Sequence, residues 1–141
     1  MEHIMREKSD YAATLLRVTL GLFFLVHDSV KIFVFTPAGT AAFFGKLGLP
    51  PALAYAVILA EGLGGIALIL GAYTRIAAII LAADMIGALV TVHLANGFLF
   101  TDAGGGWEYP AMWTVALIAL ALLGNGAYAL PLGKPAAPRT A

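Results

Sequence analysis

Four apolar stretches, each about as long as a bilayer is thick, constrain this chain more than anything else in it. A hydrocarbon core of about 30 Å is crossed by about 20 residues at the helical rise. Residues 12–35, 52–72, 75–95 and 111–130 meet that length, and only the last contains no acidic, basic or histidine side chain. With 61% hydrophobic and 11% charged residues, the chain has too little polar material for a soluble domain. The expectation is an all-α transmembrane four-helix bundle over residues 12–130. A cytoplasmic segment, 1–11, precedes it, and a disordered cytoplasmic tail rich in proline and alanine, 131–141, follows.

Several function classes are excluded early. Eight basic and eight acidic residues cancel, so no net charge draws the chain to nucleic acid. The absence of cysteine removes disulfides, thiolate metal sites and cysteine-ligated clusters. Arg6 and Lys8 precede an apolar run as in a signal peptide, but the run is too long and ends in His27, Asp28 and Lys31, which fits an uncleaved first span. The Gly104-Gly105-Gly106 run lacks the lysine and the preceding strand of a phosphate-binding loop, and reads as a flexible hinge.

The breaks between spans carry their own chemistry. Gly71-Ala72-Tyr73-Thr74 predicts a tight helical hairpin, glycine ending one helix and Thr74 capping the next. Thr36-Pro37 has the form of an N-cap followed by a first-turn proline. With Gly48, Pro50 and Pro51 beyond, it predicts a short interfacial helix over 38–47. Residues 96–110 form a longer loop whose Phe98, Phe100, Trp107 and Tyr109 suit the headgroup level. Arg6, Lys8, Arg17, Arg75, Lys134 and Arg139 fall on one side of the spans, against Lys31 and Lys46 on the other, so both termini are expected in the cytoplasm.

Charges inside the spans are the informative residues, because each costs about 2.5–3.5 kcal/mol at mid-bilayer on insertion scales. Glu61 and Asp84 fall near the midplane, Arg17 toward the cytoplasm, and His27 and Asp28 toward the exterior. Arg17, Phe24, Asp28 and Lys31 share one helical face, with His27 on its flank. Reach pairs Arg17 with Asp84 as a structural ion pair, and Glu61 with His27 or Lys31. Asp84 and His93, nine residues apart, point in nearly opposite directions on a regular helix. His27, Glu61 and His93, from three spans in the outer half, are the candidate catalytic residues. Asp28, Lys31, Phe24, Phe44 and Glu108 are candidate ligand contacts, and no metal site is expected.

The order of these pieces resembles the DoxX family of small four-span membrane proteins over residues 15–126. The carrying residues are Leu16-Arg17-Val18, Gly21-Leu22-Phe23-Phe24, His27 and Lys31-Ile32-Phe33, followed by Phe43-Phe44 and Leu47-Gly48-Leu49-Pro50. They continue as Glu61 with Gly64-Gly65, Leu70-Gly71, Thr74-Arg75, His93, Gly97-Phe98 and Glu108-Tyr109-Pro110. One departure is Asp28, where the family usually has a small residue. The resemblance implies a prokaryotic cytoplasmic (inner) membrane protein linked to redox systems. Relatives serve in a thiosulfate:quinone oxidoreductase or beside oxidative-stress enzymes.

Three functions compete on these grounds. The first is a subunit or partner of a quinone-linked oxidoreductase, its ring site among His27, Glu61 and His93, with Phe23, Phe24, Phe43 and Phe44 as apolar lining. The second, a haem held by His27 and His93, is disfavoured because no carboxylate partner or motif spacing singles it out. The third is a non-catalytic scaffold, or a conduit for protons or small solutes, whose buried charges are structural. In each, membrane lipid surrounds the chain, and other redox subunits or a homo-oligomer are the expected partners.

Overall fold

The computed structural model describes residues 2–130 and 132, with side-chain packing from residue 7 onward. Among the described residues every regular element is helical. Helix α1 covers Glu2–Ser29 and runs without a break into a π-helical turn, Val30–Val34. Residues 2–11 thus continue the first long helix. Next come α2 (Pro37–Lys46), α3 (Leu53–Leu70), α4 (Thr74–Ala88) and α5 (Glu108–Leu123). A second π-helical turn, Leu89–His93, extends α4. Three helical stretches, Glu7–Val34, Leu53–Leu70 and Thr74–Asn96, are long and apolar enough to cross a membrane.

The expected fourth span, 111–130, is displaced. Its helix begins at Glu108 and stops at Leu123, and 16 residues rise only about 24 Å. Gly124 and Gly126 take positive φ angles that turn the chain out of the helix, and residues 124–130 fold back as a strap. Hydropathy alone had carried the span through these glycines. Most of the expected tail, residue 131 and residues 133–141, lies outside the described residues, Lys134 and Arg139 included.

The four long helices pack as a ring, α1 on α3, α3 on α4, α4 on α5 and α5 on α1. Close approach of α1 and α3 depends on glycine: a Cβ on Gly21 would lie 2.7 Å from the Gly65 carbonyl oxygen. The core gathers Leu20, Phe24, Leu68, Leu81, Trp113, Leu117 and Leu120 around the alanines of α4. Large apolar side chains also cover the outside, among them Leu15, Leu22, Phe33, Ile79, Val115 and Leu122. A surface of that kind is suited to lipid instead of water.

Of the boundaries expected from capping chemistry, the start of α2 and the end of α3 follow it and the start of α4 does not. Thr36 caps α2 as expected, its hydroxyl accepting from the Gly39 N–H at 3.1 Å with Pro37 in the first turn. It does so at φ 64°, a left-handed conformation that strains a threonine by about 1–3 kcal/mol. Gly71 ends α3 in the left-handed helical region, at φ 70° and ψ 26°, as its position in the hairpin requires. Thr74, expected to cap α4, is instead its first helical residue after Tyr73, and its buried hydroxyl has no hydrogen-bond partner. The tight turn uses Tyr73 in a left-handed conformation, which leaves no capping position for Thr74.

Candidate functional site

Two polar centres lie inside this frame, one at each end of the helices. The first surrounds Arg17, which is 1% exposed. Its guanidinium donates to the Leu68 carbonyl at 2.9 Å, the Asn125 carbonyl at 2.9 Å and the Ala127 carbonyl at 3.0 Å, and also to Ile69. Leu68 and Ile69 belong to the last turn of α3, where backbone carbonyls lack helical partners and carry the negative end of the dipole. Asn125 and Ala127 belong to the strap. The Ala127 N–H bonds to the Asp10 carbonyl, Thr14 Oγ1 donates to the Ala127 carbonyl, and the Leu130 N–H bonds to the Leu70 carbonyl. Arg17 therefore fastens α1, α3 and the strap together without a carboxylate. The expected Arg17–Asp84 ion pair is not formed, because orphan carbonyls lie nearer the guanidinium than any acid does.

The second centre is a cavity of about 1060 Å³ at the opposite end. Helix α2 packs on α3 and on the first π-helical turn, and brings Phe43 and Phe44 to this cavity. Phe24, Phe43, Phe44, Leu53, Val57, Met85 and Trp113 give the cavity mostly apolar walls. The polar groups on those walls are His27 and Lys31 from the first helix, Glu61 from α3, and Asp84 and His93 from α4 and its extension. Lys31 Nζ forms an ion pair with the buried Glu61 carboxylate. Asp84 of α4 lines the same cavity as Glu61 of α3.

Both π-helical turns lie at this cavity. In the first, the Phe35 N–H bonds to the Val30 carbonyl, five residues back, and the Lys31 carbonyl accepts from Thr40 Oγ1 of α2. In the second, the wider turn changes the direction of the residues that follow it. His93 and Asp84 consequently line one cavity, which corrects the expectation that they face opposite ways. Regular helical spacing cannot anticipate an inserted residue.

Each histidine is fixed by a backbone carbonyl. His27 Nδ1 lies 3.0 Å from the Phe23 carbonyl, and its ring meets Trp113 edge-on at 5.0 Å between centroids. His93 Nδ1 lies 2.8 Å from the Gly105 carbonyl. When Nδ1 of either ring carries the proton toward that carbonyl, Nε2 is left as an acceptor. Trp113 also meets Phe23, Phe24 and Tyr109, so one indole organises this part of the wall.

The glycine loop is fastened, not the hinge expected of it. The N–H groups of Gly106, Trp107 and Glu108 bond to the carbonyls of Leu99, Gly97 and Phe98, and Asn96 Nδ2 holds the carbonyls of Gly104 and Gly105. Glu108 accepts from the Phe100 N–H at 2.7 Å and does not line the cavity, so this expected ligand contact is a loop fastener. Asp28 is also absent from the cavity wall. It is buried in the α1–α3 seam, where a side chain on Gly62 would meet Asp28 Oδ2 at 2.9 Å, and its Oδ1 has no hydrogen-bond partner. The remaining expected residues, Phe24, His27, Lys31, Phe44, Glu61 and His93, come together on the wall. Asp84 joins them although the sequence pointed it toward Arg17.

The DoxX family model matches residues 12–94, more than half of the chain. The chain belongs to the DoxX family. This DoxX protein is 35% identical over 126 residues to a Bacillus subtilis protein named "Putative oxidoreductase CatD", with 89% of each chain covered. It is 34% identical over 121 residues to a Haemophilus influenzae protein whose name assigns no activity, with 85% of this chain and 88% of that one covered. No solved structure gives a significant match. Most of the cavity wall, from Phe24 to His93, falls within the residues that the family model matches, and the aromatic cover from α5 lies beyond them.

Proposed function

We propose that this DoxX protein is a subunit or partner of a membrane redox complex, and that the cavity receives a quinone or a quinone-like ring. In this reading all four long helices cross the cytoplasmic membrane of a prokaryote with both termini inside, and α2 lies at the outer interface. The observation that carries it is the composition of the wall: a large apolar chamber in a lipid-facing protein, with acids and bases grouped on one part of it. The residues fit such a ring. Phe24, Phe43, Phe44 and Trp113 offer apolar contact, while His27 and His93 can exchange hydrogen bonds with ring oxygens. A bound quinone would supply electron-accepting chemistry that the side chains lack. The protein's part is to bind and orient the ring, exclude water and exchange protons at the histidine nitrogens. The name of the Bacillus subtilis relative agrees with a redox role.

Purification in a mild detergent followed by mass spectrometry of bound small molecules tests this directly. A quinone retained by the wild type and lost from His27→Ala is the expected result. Equal quinone content in both, at the level of bulk lipid, would refute it.

The second reading is a scaffold or conduit, favoured by one observation: Lys31 and Glu61 already satisfy each other. Glu61→Gln separates the two. Lost quinone-dependent turnover with intact folding supports the ring site, and reduced stability with unchanged complex activity supports the scaffold.

A further inference from the structure

Counting charge around Glu61 leads beyond a simple ion pair. Three carboxyl groups from three helices come near this point: Glu61 of α3 and Asp84 of α4 line the cavity together, and Asp28 of α1 lies against Gly62, next to Glu61 in the chain. One ammonium, Lys31, is paired with Glu61. The other groups that face this point are His27 of α1 and His93 beyond α4, both held by backbone carbonyls, and the uncharged Thr40 of α2 and Tyr109 and Trp113 of α5. Fully ionised, the cluster would carry two uncompensated negative charges inside a lipid-facing bundle, an arrangement that the low dielectric disfavours. Among the described residues no second lysine or arginine lines the cavity: Arg17 is committed to carbonyls at the other end, and Arg75 lies beside Gly124.

Asp28 supplies an independent observation. Asp28 is 6% exposed, its Oδ1 has no partner, and its Oδ2 lies against Gly62, the chain neighbour of Glu61, where a side chain would leave it no room. A carboxylate in that position would keep one oxygen buried without a donor, an arrangement that an acid form avoids. Asp84 and Glu61 line the same cavity, where Lys31 is already paired with Glu61, and two carboxyl groups sharing one site hold a proton between them more readily than two negative charges.

We propose that Asp28, Glu61 and Asp84 form a proton store holding two protons, one on Asp28 and one shared between Asp84 and Glu61, with Lys31 as its fixed counter-charge. Asp84 and Glu61 open onto the cavity and Asp28 lies behind them, so the store has an outer and an inner member. Discharge is balanced: the Asp84 acid gives its proton to an acceptor oxygen in the cavity and becomes a carboxylate, and Lys31 shares the charge left behind. Use of the protons by a ring in the cavity rests on the function proposed above, whereas their presence does not.

Infrared spectroscopy of the protein in lipid nanodiscs at neutral pH, in H2O and D2O, tests the store without any ligand. The expected spectrum has a protonated-carboxyl band that shifts in D2O. The band falls by roughly half in Asp84→Asn and again by roughly half in Asp28→Asn, since each removes one of two protons. A wild-type spectrum in which every carboxyl is ionised overturns the proposal, as does a band unchanged in both variants. Should a variant fail to fold, the wild-type spectrum alone decides. Titration with a short-tailed quinone in the same samples keeps the readings apart: a persistent band with no quinone binding removes the ring site and leaves the store.

Discussion

Replacing Arg17 by alanine exposes the logic of the strap. The wild-type guanidinium serves four carbonyls, but two of them have other donors: Leu68 also receives the Gly71 N–H, and Ala127 also receives the Thr14 hydroxyl. The carbonyls of Ile69 and Asn125 depend on Arg17. Each buried acceptor left without a donor costs about 1–3 kcal/mol, so the expected loss is about 2–6 kcal/mol, reduced where water enters the space vacated. Lysine, with one compact ammonium, cannot span the last turn of α3 and the strap together, and Arg17→Lys is expected to recover less than half of the loss. Reversible unfolding in mixed micelles reads the stability, and hydrogen exchange reads the place. The Ala127 and Leu130 amides, bonded to Asp10 and Leu70, should lose protection before those of α4. Unfolding of Arg17→Ala within about 0.5 kcal/mol of wild type, with both amides still protected, would refute the role assigned to the arginine.

Further consequences follow from the same contacts. Lys31→Ala strands the buried Glu61 carboxylate and is expected to destabilise by about 3–5 kcal/mol. The double replacement Lys31→Met with Glu61→Gln should recover most of that, as a double-mutant cycle in micelles would register. Gly21→Val places side-chain atoms where the Gly65 carbonyl already stands, and should lower stability by about 1–3 kcal/mol or separate α1 from α3, visible as faster exchange along both helices. Trp113→Ala removes the indole that meets Phe23, Phe24, His27 and Tyr109, and is expected to cost about 3–5 kcal/mol while leaving the strap amides protected.

The parts legible in the sequence were those governed by local chemistry. The extent of the first three spans, the Gly71 turn, the Thr36 cap and the short helix behind Pro37 each depend on local sequence, and α2 falls within one residue of its expected ends. The Lys31–Glu61 contact, one of two partners open to Glu61, was legible because depth along a helix limits reach. What escaped was set by long-range geometry. Arg17 looked for a carboxylate, but its nearest unsatisfied acceptors are carbonyls released when α3 ends and when the chain leaves α5 at Gly124. Asp84 and His93 escaped because the π-helical turn between them has no sequence signature comparable to a cap. Glu108, placed near the outer histidine by its position, spends its carboxylate on the Phe100 amide. The two glycines of the strap did carry a signal, and weighting Gly124 and Gly126 above hydropathy would have ended the fourth helix in the right place.

Trp113 offers the most direct measurement on the cavity, since its indole forms part of the wall and the chain has only two tryptophans. In a Trp107→Phe background, titration with a short-tailed quinone in nanodiscs should quench Trp113 fluorescence along a saturable curve. His27→Ala and His93→Ala should each weaken that curve by roughly tenfold, the equivalent of about 1.4 kcal/mol for one lost hydrogen bond. A strictly linear, non-saturating quench that both variants reproduce would contradict a ring site in this chamber.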